Sequence, residues 1–237
     1  MGMLHNVILI LLAPLLVLQG RYVRRVTPKL PEAAGGRGGT LGEGRRLRVL
    51  VVGDSAAAGV GVDTQSQALS GCLTRELARQ YRVDWLLVAQ SGNKTEDLIH
   101  TLKQLDPSEF DVVLISLGVN DVLSPLSVSR WIEQQESLIE LLKTQFAVKH
   151  ILLTRVPPMN QFPALPQPLR WCLGQRAKAF NTRLAKLSLG DDDCELVNIE
   201  QALERQDMAV DGFHPGSRIY RVWGENAAGL IVRRAEL

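Results

Sequence analysis

Cysteine is scarce in this chain. Cys72, Cys172 and Cys194 make an odd number with no metal-type spacing. That excludes a disulfide framework and leaves room for one bond at most; free buried thiols in a reducing compartment suit the pattern. Clusters of metal-ligating side chains are missing too, so no metal and no cofactor is expected. Most of the chain also lacks a basic excess. The whole carries +2, and residues 1–48 hold eight Lys/Arg against two acids, a net +6, so residues 49–237 carry −4. A mildly acidic body argues against a nucleic-acid partner. The stretch Gly59-Val60-Gly61 lacks both the lysine of a phosphate-binding loop and the third glycine of a dinucleotide fingerprint, which argues against nucleotide binding. There is no internal repeat.

Basic residues are absent ahead of the one long apolar run, Val7 to Leu18. A cleaved signal peptide has Lys or Arg there and small residues at its cleavage site. Here Gln19-Gly20-Arg21 follows, and no nearby cysteine is present to accept lipid. With Met1–Asn6 the run makes about 18 helical residues, near the lower limit for crossing a hydrocarbon core. Its positive charges come after it, which keeps that side cytoplasmic. The expectation is an uncleaved anchor at 1–20, with export as the alternative. Pro14 and the short length also allow a helix that lies on the membrane. Arg21, Arg24, Arg25 and Lys29 favour an anionic membrane surface, at about 1 kcal/mol per residue. Residues 21–45 are basic, with glycine-rich Ala33 to Gly44, and read as a flexible tether. The folded body is expected at 46–237.

What is present in that body suits one α/β domain. The chain's 237 residues, 46% apolar, are ample for a full core. Short β-branched runs at Leu47–Gly53, Trp85–Ala89, Val112–Leu117, His150–Thr154 and Leu196–Ile199 predict five strands. Helical spacing of apolar residues marks 67–80, a helix opening near a Thr95 cap, Trp131–Phe146, Arg176–Leu187 and a last helix through Ile219, Trp223 and Ile231. Alternating strands and helices predict a mostly parallel sheet with helices on both faces. Ligands bind beyond the carboxyl ends of such strands.

Four segments at or after those ends carry chemistry. Gly53-Asp54-Ser55 closes the first strand, Ser91-Gly92-Asn93 follows the second, and Gly118-Val119-Asn120-Asp121 follows the third. Asp211-Gly212-Phe213-His214 then precedes Pro215. A serine hydroxyl becomes a nucleophile when a base takes its proton, and a carboxylate fixes the base's tautomer. The i, i+3 spacing lets Asp211 reach one ring nitrogen of His214 and leaves the other for Ser55. Each segment alone also fits a plain structural role: a helix cap, a glycine turn, a turn asparagine or a surface histidine. Their order at successive strand ends is what points to catalysis. His5, His100 and His150 have no comparable carboxylate and read as structural or surface residues.

With these segments the sequence resembles the SGNH or GDSL-type esterases and lipases over residues 47–225. The resemblance implies a flavodoxin-like, three-layer α/β/α sandwich with a five-stranded sheet. It implies Ser55 as nucleophile, His214 as base and Asp211 as its orienter. The oxyanion hole would comprise the Ser55 and Gly92 backbone N–H groups and the Asn120 side chain. Two departures stand out: Ala56 replaces the family's usual leucine, and Ala89-Gln90 stands where an asparagine often precedes the glycine. The pattern is nearest to bacterial acyl esterases, so the membrane would be the bacterial inner membrane, with the body cytoplasmic or, by export, periplasmic or secreted.

The expected function is hydrolysis of acyl or lipid-like carboxylic esters. Thioesterase or lysophospholipase activity, carbohydrate deacetylation and non-catalytic binding are the alternatives, in that order. Pro157 to Cys172 holds five of the eleven prolines, with Phe162, Leu165 and Trp171 between or just after them. It follows the fourth strand, so it is expected to overhang the cleft. These three residues would then wall an acyl chain; a rigid surface loop is the plain alternative.

Overall fold

The computed structural model describes residues 3–199 and 205–235. Helix α1 (Met3–Val26) leads to a short strand β1 (Gly38–Leu41) and then β2 (Arg45–Gly53). Next come α2 (Leu69–Leu77), β3 (Tyr81–Ala89), α3 (Thr95–Lys103), β4 (Val112–Ser116), α4 (Val119–Leu123) and α5 (Val128–Phe146). The chain continues through β5 (His150–Thr154), α6 (Leu169–Leu189) and β6 (Cys194–Val197) to α7 (Ser217–Ala235).

The strands lie in the order β1-β3-β2-β4-β5-β6. β1 runs antiparallel to β3, and the other neighbours are parallel. Every residue of β4 and β5 is buried, as a parallel sheet covered on both faces demands. Alternation along the strands sends Val52, Ile115 and Leu153 into a core shared with α3, α5 and α6. It sends Val51, Leu114 and Leu152 into a second core shared with α2 and α7. These cores make the three layers, and full burial of each such side chain contributes about 1.5–3 kcal/mol.

The sheet therefore has six strands rather than five. The extra one lies in the segment expected to be a flexible tether. Gly38–Leu41 pairs residue by residue with Val83–Leu86. Ala33 is buried, and Glu32 accepts a hydrogen bond from the Ser91 N–H at 2.7 Å while Arg37 pairs with it. All four β1 residues are exposed, so no apolar alternation betrays the strand. Backbone hydrogen bonds hold it at the sheet edge, joined by the Thr40 hydroxyl donating to Asp84 at 2.7 Å.

One helix cap and one helix start also differ from expectation. Lys94, not Thr95, caps α3, its N–H donating to Asp97 at 3.0 Å. Thr95 is the first helical residue and is buried, with its N–H and hydroxyl both on Asp121. α6 starts seven residues before Arg176 because Leu169, Cys172 and Leu173 already face the core. α1 continues past residue 20 through its arginines to Val26. Its Leu16 and Val23 pack on the body, and Gln19 bonds both Gln167 and Leu169. Among the described residues no helix is long and apolar enough to cross a membrane.

Candidate active site

Close approach of β2 and β4 places the serine. A Cβ on Gly53 would lie 2.1 Å from the Ser116 carbonyl oxygen, so only glycine fits there. The next residue, Asp54, donates its N–H to that same oxygen at 3.1 Å. The chain then leaves the sheet in a tight turn, with Ala58 N–H on Asp54 O and Val60 N–H on Ser55 O. The buried Tyr220 hydroxyl on α7 donates to Val60 O at 2.7 Å, tying this turn to the last helix.

Ser55 and His214 meet across 159 residues. His214 Nε2 lies 2.9 Å from Ser55 Oγ, and His214 Nδ1 lies 2.6 Å from Asp211 Oδ2. The Asp211 side chain is fully buried. Burial pushes its carboxyl up, but the His214 ring and the backbone N–H groups of His214 and Phe213 outweigh that and hold it below the usual carboxylate range. An ionised carboxylate only accepts, so Nδ1 donates to it. In the neutral ring Nε2 is then the acceptor, and the Ser55 hydroxyl donates.

The other two strand ends are laced to the first. Asn93 donates its side-chain amide to Gly53 O at 3.3 Å, and Asn120 donates to Asn93 O at 3.0 Å. A side-chain amide has two N–H groups, so Asn120 keeps one for the cleft. Gly92 has φ +91°, and a Cβ there would meet open space. Asp121 lies beneath, accepting from Thr95, whose hydroxyl accepts in turn from Trp131 and Gln135. The lacing by Asn93 and the buried Asp121–Thr95 contact were not anticipated; the sequence offers only polar residues in turns as a signal.

A cavity opens beside Ser55 and His214, lined also by Asp54, Thr154, Phe162, Phe213 and Trp223. Of the three residues expected to wall an acyl chain, Phe162 lines this cavity, its ring edge-on to Phe213 at 5.1 Å between centroids. The other two stand elsewhere. Leu165 turns into the core, 2% exposed, and Trp171 sits 38% exposed on the first turn of α6. After Phe162 the chain still runs beside Gly212, with the Ala164 N–H on Gly212 O at 3.2 Å, before it enters α6 at Leu169. Burial raises the Asp54 carboxyl to about 7, only partly offset by the Ala56 N–H and by His214. Among the described residues no group of side chains is arranged to hold a metal ion.

Residues 51–222 match the model of the GDSL-like lipase/acylhydrolase family. No curated protein sequence matches the chain. Similar solved structures include a member of the lipolytic G-D-S-L family from Veillonella parvula, 14% identical, with TM-score 0.63 over 79% of this chain and 99% of that one. A lipase/acylhydrolase from Enterococcus faecalis is 21% identical, with TM-score 0.57 over 79% and 96%. An acetylxylan esterase from Geobacillus stearothermophilus is 19% identical, with TM-score 0.53 over 81% and 94%.

Proposed function

The chain belongs to the GDSL-like lipase/acylhydrolase family and is an ester-bond hydrolase, and from that premise we propose a serine mechanism acting on carboxylic esters of acyl groups. The line of contacts from Ser55 Oγ through His214 to Asp211 carries this reading. Ser55 attacks the ester carbonyl as His214 Nε2 takes its proton. The N–H groups of Ser55 and Gly92 and the free amide N–H of Asn120 hold the oxyanion. His214 then protonates the departing alcohol, leaving an acyl-Ser55. Water attacks this acyl group with His214 again as base, and the acid departs. Asp211 stabilises the imidazolium formed in each step.

Labelling with a fluorophosphonate tests the nucleophile. The wild type is expected to be labelled at Ser55, and Ser55→Ala and His214→Ala are expected to escape. Nitrophenyl esters of increasing chain length, an acyl thioester and an acetylated sugar then rank the substrate classes. Turnover that survives Ser55→Ala would refute the mechanism.

We further propose that α1 holds the body at an anionic membrane surface, on the cytoplasmic face of a bacterial inner membrane. Leu11, Leu18 and Tyr22 are 75%, 61% and 62% exposed on the face opposite the packed Leu16 and Val23, and Arg21, Arg24 and Arg25 follow. An apolar face edged by cations suits an interfacial helix. Sedimentation with phosphatidylglycerol vesicles, and not with phosphatidylcholine alone, is expected. Leu11→Glu with Leu18→Glu is expected to abolish it, and equal recovery with both vesicle types would count against the charge.

A further inference from the structure

The cavity beside Ser55 has two unlike walls. Leu117, Val119 and Phe162 on one side belong to or pack on the α3–α5–α6 core. Thr154 and Trp223 are on the other. Thr154 ends β5 on the same face as Leu152, by strand alternation, and Trp223 of α7 shares that core with Leu152.

Both of these residues hold a polar atom with no partner among the described residues. Thr154 is 6% exposed and Trp223 is 3% exposed, and neither Thr154 Oγ1 nor Trp223 Nε1 has a hydrogen-bond partner among the described residues. Buried polar atoms are paired in the great majority of cases, and a molecule bound in the cavity would pair two orphans on its wall. Trp223 Nε1 only donates, and the Thr154 hydroxyl is free to do so. The missing partner is therefore an acceptor oxygen. The cavity is small, about 50 Å³, whereas one water needs about 10–15 Å³. It admits a few heavy atoms rather than a long chain.

We propose that this cavity is a subsite for a short acyl group that carries its own oxygen, as a hydroxyl or oxo substituent, bound by the Thr154 O–H and the Trp223 N–H. This rests on Ser55 being the residue acylated. A plain acyl group entering the same space leaves both donors unpaired. Sites with buried hydrogen-bonding groups reject analogues that lack the matching atom more strongly than apolar pockets reject a missing methylene.

Matched nitrophenyl esters test it: 3-hydroxybutyrate against butyrate, and 4-oxopentanoate against pentanoate. Each kcat/KM is normalised to that ester's own hydrolysis by hydroxide. The wild type is expected to prefer the oxygenated partner by about tenfold, the scale of one or two neutral hydrogen bonds. Thr154→Val and Trp223→Phe each bring the ratio toward one, and Thr154→Ser, which keeps the hydroxyl, restores it. Thermal melts identify any variant that loses its fold, and Thr154→Val, nearly isosteric, guards against that outcome for Trp223→Phe. A wild-type ratio of one, or a ratio unmoved by both substitutions, overturns the subsite and leaves the two donors to an ordered water. If fluorophosphonate labels Ser55 and no preference appears, the subsite alone fails. If Ser55 is not labelled, the serine mechanism fails and takes the subsite with it.

Discussion

Two loops converge on His214, each bringing a buried aspartate, and they leave those aspartates in opposite states. Asp211, before α7, accepts from His214 Nδ1 and from two backbone N–H groups, and its carboxyl is held below its ordinary range. Asp54, after β2, accepts from Ala56 N–H, and burial carries it up to about 7. Burial pushes both in the same direction. It pushes Asp54 harder, and Asp211 also has more donors and the imidazole in direct contact. Desolvation and the supply of hydrogen-bond donors together decide which carboxyl stays ionised beside His214.

Substitutions can break that comparison. The largest effect belongs to the serine both loops serve: Ser55→Ala is expected to lower turnover on the order of 10⁶-fold, measured with an activated nitrophenyl ester. Asp211→Asn follows, with a loss of about 10⁴-fold, because the amide favours the wrong ring tautomer. Asp54→Asn, assayed at pH 6, is expected to leave turnover close to wild type, since the amide replaces an acid that is already mostly neutral. Comparable losses at the two aspartates would end the distinction drawn here. Asn120→Ala is expected to cost about 10²–10³ in kcat with the fold intact, as read by kinetics beside a circular dichroism melt.

The smallest effect sharpens the comparison through pH. The folded value for Asp54, about 7, exceeds its ordinary 3.8. Between those values the folded chain binds more protons than the unfolded one, so the Asp54 contribution to stability falls as pH rises and levels off above 7. Asp211 behaves oppositely: its lowered value contributes stability above the ordinary carboxylate range and loses it as pH falls below. Urea unfolding at pH 5 and pH 8 is expected to show the wild type losing stability relative to Asp54→Asn, on the order of 2–3 kcal/mol at most, the part of the shift that lies between pH 5 and about 7. A variant that tracks the wild type at both values would place the Asp54 carboxyl in its ordinary range.

Legibility followed the kind of interaction that forms each feature. Val112–Ser116 and His150–Thr154 are continuous apolar runs, and the sheet buries every residue of them. Ser55, Gly92 and Asn120 stand just past strand ends, so recognising those strands placed all three on one edge of the sheet. Gly38–Leu41 was read as tether because an exposed, glycine-bearing strand pairs through its backbone and leaves no side-chain period. The prolines before Leu169 concealed the start of α6, and the burial of Leu165 and exposure of Trp171 depend on packing that local spacing does not carry.

The amino-acid order by itself determined the parallel α/β plan and the residues of Ser55, His214 and Asp211, because periodicity and local spacing are properties of neighbours along the chain. Tertiary structure alone decided that Asn93 laces three strand ends, that Asp54 rises to about 7, and that Thr154 and Trp223 line one cavity with their donors unpaired among the described residues. Desolvation and hydrogen-bond supply are set by groups that meet only once the sheet and its helices have closed around them.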